Sequence, residues 1–299
     1  MSERPAVNLG DPAAVVDLLG RAAEANLACP LRRGSAVRLP PQGRVVMTGD
    51  LHDHALNARR VLQLAALPDS PGHHLILHEV IHGPHRINGR DLSARLLLQT
   101  ANLKLRFPGQ VHVIQSNHEL AQVRGEDILK AGGSVITAFN NGLDFMFGDG
   151  AEDVAKAIAA YVRSLPLAVI CPRGILCSHS LPSMRFLETF DATILDRVPT
   201  DQDLSPAGPA HQMVWGRTHR EELAQRLATA WGVRLFVLGH QPAEMGFELE
   251  GESMLVIASN DEHGMALPID LARDYTRDAL VEALIPLAGV SLEQGRYEL

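Results

Sequence analysis

Val45-Val46-Met47-Thr48-Gly49-Asp50-Leu51-His52-Asp53-His54 packs a short apolar run, a glycine and four polar residues of metal-ligand type into ten positions. The run 45–48 has strand length, its polar residues follow at the carboxyl end, and a helical pattern over 56–67 comes next. The order recurs twice. Residues 74–77 precede His78-Glu79-Val80-Ile81-His82-Gly83 and a helix that Asp91 caps, and 111–115 precede Ser116-Asn117-His118-Glu119 and further helix. Alternation of strand and helix predicts an α/β body with a partly parallel sheet and helices outside. Sites in such sheets lie beyond the carboxyl ends of the strands, where the polar residues stand here.

Outward from this block, Asp11-Pro12 reads as the N-cap and first position of a helix that stops at Cys29-Pro30. A breaker-rich linker follows, which predicts an N-terminal helical extension over 1–42 and a main domain over 43–299. On the other side, 151–166 is helical, and 167–171 and 175–179 form a hairpin turned at Pro172-Arg173-Gly174. A proline-studded loop covers 182–212, a helix 221–231 and a strand 234–238; 247–259 reads as two strands turned at Gly251-Glu252, and 276–284 is a last helix. The later half therefore predicts a second, mixed or antiparallel sheet.

Of 299 residues, 46% are hydrophobic and 21% charged, and the formal net charge is −8. That field repels phosphate backbones and anionic lipid, so neither a nucleic acid nor a membrane is expected as partner. MSERPAVNLGDP lacks a basic segment followed by an apolar one, and no apolar run approaches the ~18 residues of a membrane helix, so a cytoplasmic protein is expected. Cys29, Cys171 and Cys177 form no CxxC pair and read as small core hydrophobes. Of 14 histidines, seven lie between positions 52 and 85. His73 and His74 are expected in a polar loop opening a strand, His54 and His85 near the rim of a site, and His78 pointing away from Glu79 by strand alternation.

Five strand ends carry ligand-type residues: Asp50 with His52, Glu79, Asn117 with His118, His179, and His240. Carboxylate, imidazole and amide oxygen suit a borderline-hard divalent ion such as Mn²⁺, Fe or Zn²⁺, and the lack of thiolate disfavours a structural zinc site.

In the order and context of these motifs, the sequence resembles the calcineurin-like metallophosphoesterases of the phosphoprotein phosphatase type. That family shows Gly-Asp-x-His-Gly, Gly-Asp-x-x-Asp-Arg-Gly, Gly-Asn-His-Glu, a later lone His and a final Gly-His. The corresponding segments here are Gly49-Asp50-Leu51-His52-Asp53, His78 to Gly83, Ser116-Asn117-His118-Glu119, Ser178-His179-Ser180 and Leu238-Gly239-His240-Gln241. The resemblance covers about residues 43–260. It implies a four-layer α/β/β/α sandwich with two central mixed sheets.

By the same resemblance, Asp50 and His52 hold a first divalent ion, Asn117, His179 and His240 a second, and Glu79 takes the bridging carboxylate's place. Two cations, with Mn²⁺ the first expectation, held about 3.5–4 Å apart make hydroxide from a shared water and clamp a phosphoryl group for in-line attack. His118 is then the general acid that protonates the leaving oxygen.

The second motif departs from the family. Glu79 replaces Asp, and His82 replaces the Asp that would favour a protonated imidazole at His118, a task Asp53 or Glu119 is placed to share. Gly83 replaces the phosphate-clamping Arg, leaving Arg86, Arg90 and Arg217 as candidate substrate-binding cations. The expected activity is hydrolysis of phosphomonoesters, including phosphoserine or phosphothreonine in proteins. A dinucleoside polyphosphate hydrolase and a metal-binding relative without catalysis remain open, as do substrate, metal identity and oligomeric state.

Overall fold

The apolar runs of the sequence are strands buried on both faces. The computed structural model describes residues 7–130, 133–217 and 219–293. In chain order the strands are β1 (Arg32–Arg33), β2 (Ala36–Arg38), β3 (Arg44–Asp50), β4 (His73–His78), β5 (Val111–Val113), β6 (Leu129–Lys130), β7 (Gly133–Ser134), β8 (Ala168–Cys171), β9 (Ile175–Ser178), β10 (Leu235–Leu238), β11 (Phe247–Glu250), β12 (Met254–Ile257), β13 (Met265–Asp270) and β14 (Ile285–Pro286). The helices are α1 (Pro12–Leu27), α2 (Ala55–Ala65), α3 (Ala94–Arg106), α4 (Asn117–Arg124), α5 (Val135–Phe147), α6 (Ala151–Ser164), α7 (Pro209–Trp215), α8 (Glu221–Trp231) and α9 (Arg277–Glu282).

Two mixed sheets result. One runs β14-β13-β3-β4-β5 and the other β1-β2-β8-β9-β10-β12-β11. The sequence motifs sit on the parallel sets β3-β4-β5 and β9-β10, whose carboxyl ends share an edge. The hairpins read at 172–174 and 251–252 are the antiparallel pairs β8-β9 and β11-β12.

Side-chain alternation divides each strand between two cores. On β4, Leu75 and Leu77 pack under the helices while Ile76 enters the layer between the sheets. On β10, Leu235 and Val237 face that layer while Phe236 and Leu238 face the helices of the other side. β9 follows the same rule, with Cys177 between the sheets and Leu176 outside. All three cysteines are buried and free.

Of the N-terminal helical extension expected over 1–42, α1 and β2 pack on this body, and residues 1–6 lie outside the described residues. On α1, Val15, Leu18, Leu19 and Ala22 follow helical spacing and join the core of the helical layer, and β2 adds a parallel strand beside β8. The breakers after Cys29 make a tight return into the sheet, which breaker content alone does not distinguish from a linker. His74 also departs from expectation: it is a buried strand residue whose ring stacks on His112 of β5 at 5.5 Å. α5 was not read from the sequence, and β14 follows the helix expected to be the last element. Among the described residues, no helix is long and apolar enough to cross a membrane.

Candidate metal centre

The loops beyond β3 and β4 are joined backbone to backbone. The Leu51, His52 and Asp53 amides donate to the carbonyls of Glu79, Glu79 and Val80 at 3.0, 2.7 and 3.0 Å. His52, Asp53, Glu79 and His82 all take left-handed backbone, as does His240 beyond β10, with φ between 43° and 67°. Non-glycine residues there carry strain, and such residues gather at functional sites. The consequence is directional: at Glu79 the strand has ended, so alternation no longer governs where the next side chains point.

The expected ligands converge. Around His179 Nε2 stand Asn117 Oδ1 at 2.7 Å, Glu79 Oε2 at 2.8 Å and His240 Nδ1 at 3.1 Å. Glu79 Oε1 lies 3.2 Å from His52 Nε2, so this carboxylate reaches both halves of the cluster. Asp50 accepts the His240 amide with both oxygens, at 2.9 and 3.1 Å. His52 Nδ1 is 3.1 Å from the Ile81 carbonyl, which only accepts, so Nδ1 carries the proton and Nε2 keeps its lone pair. Burial, the largest cause in each case, pushes the pKa values of His179 and His240 down and keeps the rings neutral, the form a cation requires.

His118 Nε2 lies 3.4 Å from Glu79 Oε1, close to the distance of His52 from the same atom. What separates them is the other nitrogen: His118 Nδ1 meets His82 Nδ1 at 2.8 Å instead of a carbonyl. Glu119 does not serve His118 in any described contact. Its Oε1 accepts the Val80 amide at 2.8 Å and the Ile81 amide at 3.3 Å, and Ser116 Oγ donates to Oε2, tying α4 to the loop beyond β4. Burial and the charge of Glu79 raise its pKa to about 7. Burial and Asp91 likewise raise Asp53 to about 6, and Asp53 feels Arg95 and His85.

Among the candidate arginines, Arg217 is at the site, its Nη1 3.4 Å from the His240 carbonyl. Arg90 lies over the Phe145 ring at 4.9 Å, and Arg86 sits beside Gly133 of β7; no described contact brings either to the cluster. The exchange at Gly83 has a steric basis, since a Cβ there would stand 2.7 Å from Asp53 Cβ and 2.8 Å from the His52 carbonyl oxygen. His54, expected at the rim, caps α2 by accepting the Asn57 amide at 3.1 Å.

Two participants escape sequence reading. His78 was expected to point away, yet its Nδ1 is 3.0 Å from His179 Nδ1 and 3.5 Å from Asp50 Oδ1. The sequence of β4 is apolar on both faces and left no signal; the structure shows that Ile76, two residues before His78, faces the layer between the sheets, which leads to the cluster. Gln122, whose Oε1 is 3.0 Å from His82 Nε2, left no signal because its partner is distant in sequence. Sets drawn from Asp50, His78 and His179, from His52, Glu79 and His118, and from Glu79, His179 and His240 each bring three ligand atoms within 4.8 Å of one another. Neutral imidazoles, carboxylates and an amide oxygen around one point fit a divalent cation.

No protein-family model matches the sequence, and no curated protein matches it at significant similarity. Among solved structures, the fold is similar to a protein serine/threonine phosphatase from Saccharomyces cerevisiae with similarity to human phosphatase PP5, at TM-score 0.66 and 15% identity, covering 92% of this chain and 88% of that one. It is also similar to a cold-active protein-tyrosine phosphatase of a psychrophile, Shewanella sp., at TM-score 0.53 and 15% identity, covering 84% and 80%. At such identity the likeness is one of fold: the two-sheet α/β architecture expected from the motifs is the one these phosphatases share.

Proposed function

We propose that the chain is a metal-dependent phosphoesterase that hydrolyses phosphomonoesters. One observation carries this reading: ligand-type side chains from five strand ends meet around Glu79 and His179, with His118 beside them and Arg217 behind His240. Asp50 and His52 would hold one cation, Asn117, His179 and His240 a second, with Glu79 between them. Mn²⁺ is the first choice, with Fe or Zn²⁺ as alternatives. Divalent ions bound there would supply Lewis-acid polarisation of the phosphoryl group and activation of water.

The chain's own residues do the rest. His118, which donates its Nδ1–H to His82, would act in its imidazolium form, giving the second proton at Nε2 to the departing alkoxide, while His82 and Gln122 fix its ring. Arg217 contributes positive charge to a phosphoryl group at the His240 side. Burial of Glu79, Asn117 and His179 excludes water from their side of the cluster.

The test is hydrolysis of p-nitrophenyl phosphate, abolished by EDTA and restored by Mn²⁺. No turnover with Mn²⁺, Fe²⁺ or Zn²⁺ rejects the reading. A phosphoserine peptide and diadenosine tetraphosphate, assayed together, separate the phosphoprotein phosphatase from the dinucleoside polyphosphate hydrolase. A second reading, metal binding without catalysis, draws on Gly83: the backbone there leaves no room for a clamping arginine. Calorimetric metal binding with no turnover on any of these substrates selects it.

A further inference from the structure

His78 occupies the position of the first glycine in the family's second motif, and nothing in the proposed chemistry accounts for an imidazole there. Its ring is fully buried at the carboxyl end of β4, in the layer between the sheets. Alternation puts it there: Ile76 on β4 faces that layer, so His78 does, and Cys177 on β9 carries His179 to the same layer from the other sheet. Gly239, two residues beyond Val237, makes the room. A Cβ at Gly239 would stand 2.3 Å from His78 Cε1 and 2.4 Å from Asp50 Oδ1.

The partners of His78 fix its own tautomer and select one for a cation-bound His179. His78 Nε2 lies 2.7 Å from the Thr48 carbonyl oxygen, which can only accept, so Nε2 carries a proton. A buried neutral imidazole has one N–H, and His78 Nδ1 is therefore a lone pair. It faces His179 Nδ1 at 3.0 Å, a contact that is a hydrogen bond only if His179 donates. Asp50 Oδ1, at 3.5 Å from both Nδ1 atoms, is too far to take that proton well, and its oxygens already receive the His240 amide. A neutral His179 protonated at Nδ1 turns a bare Nε2 toward Asn117 Oδ1 and Glu79 Oε2, acceptors that a cation among them would satisfy and that without one compete with His78 for the His179 proton.

We propose that His78 is a positioning residue that locks His179 in its Nδ1–H tautomer, so that the Nε2 lone pair is presented to a divalent cation. This rests on the metal-site reading above. The partner's effect is orientation and basicity of a ligand, a task that in metal sites falls to a carboxylate, carbonyl or water and here falls to a second imidazole anchored on a backbone carbonyl.

Long-range ¹⁵N–¹H correlation spectra of the Zn²⁺-loaded, ¹⁵N-histidine-labelled full chain read the tautomers directly. The expected result is His78 protonated at Nε2 and His179 at Nδ1; His179 protonated at Nε2 overturns the proposal. Zn²⁺ titrated calorimetrically into His78→Phe, checked for folding by circular dichroism, should bind about 10–100-fold more weakly than wild type. His78→Gln, whose amide can donate to Thr48 and accept from His179, should recover most of that loss. Unchanged affinity in folded His78→Phe overturns the proposal, and so does the loss of one whole ion per chain, which would make His78 a ligand. If His78→Phe does not fold, the wild-type spectra still decide. Wild type that binds no divalent cation refutes the phosphoesterase reading, whereas wild type that binds one with His179 protonated at Nε2 overturns the tautomer proposal alone.

Discussion

His82 and His118 meet nitrogen to nitrogen, Nδ1 to Nδ1 at 2.8 Å, and the far nitrogen of His82 ends on Gln122 Oε1 at 3.0 Å. Gln122 Nε2 donates to Asn140 Oδ1 at 2.8 Å, which turns its carbonyl oxygen toward His82. The chain of donors therefore runs from His118 through His82 to Gln122, and His118 Nε2 is left facing the cluster. An imidazole holds His118 in orientation as a carboxylate would, but without its negative charge.

Loss of the general acid should depend on the leaving group. His118→Ala is expected to lower kcat by about 10²–10⁴-fold on an alkyl phosphomonoester and far less on p-nitrophenyl phosphate, whose phenolate leaves without a proton. His82→Ala should show the same pattern with a smaller loss, and His82→Asp should retain activity. Equal losses on both esters in His118→Ala would remove the proposed acid.

The ligand assignment makes metal content the readout. Asn117→Ala and His240→Ala should each lower the divalent ions retained per chain, measured by elemental analysis after gel filtration, and raise the Mn²⁺ concentration needed for half-maximal activity. Wild-type content in both variants refutes the assignment. Arg217→Ala, by contrast, should leave metal content intact and raise KM.

Gly83 and Asp53 share one space. Gly83→Ala pushes a Cβ to within 2.7 Å of Asp53 Cβ and 2.8 Å of the His52 carbonyl, so about 1–3 kcal/mol of stability should be lost. Asp53→Gly in the same chain removes the first clash and should return part of the loss. Urea denaturation of the two single variants and the double variant gives the coupling, and strict additivity would show the contact to be unimportant.

Gly239 is small for a reason the site imposes. Gly239→Ala should displace the His78 ring and the Asp50 carboxylate, and so weaken Zn²⁺ binding as well as lower the melting temperature. An unchanged calorimetric affinity would contradict this.

Away from the site, Arg197 bonds Asp203 at 2.5 and 2.8 Å while the Thr200 amide donates to it at 2.7 Å. The Arg197 bonds, aided by Thr200, hold the Asp203 carboxyl well below the usual range. A depressed acid contributes stability that is complete above its ordinary value of about 3.9 and lost as pH falls through the folded one. Asp203→Asn should therefore cost about 1–2 kcal/mol at pH 7, discounted for the part-exposed Arg197 side chain. Denaturation at pH 7 and pH 3 should show the difference shrinking in acid; a larger difference at pH 3 has the wrong sign.

The sequence determined the architecture and the donor set. Runs such as 75–77 and 235–238 are apolar at every position because both strand faces are buried, and each hands over to residues of metal-ligand type. Parallel strands bring such ends to one edge, so Asp50, Glu79, Asn117, His179 and His240 could be named together before any coordinates.

Tertiary structure decided the rest. Whether His78 is a bystander depends on which face of β4 looks across to the other sheet, and Gly239 shows that choice only once the sheets are stacked. Arg86 and Arg90, near the motif in sequence, are held against Gly133 and Phe145, whereas Arg217, more than 130 residues from Gly83, reaches the His240 carbonyl. The reason is geometric. Local sequence fixes the period of a strand and where it ends, but left-handed turns at His52, Glu79 and His240 redirect the side chains just beyond those ends. The nitrogen each histidine presents is then set by a partner on another strand, helix or loop: His179 by His78, His118 by His82, and His52 by Ile81.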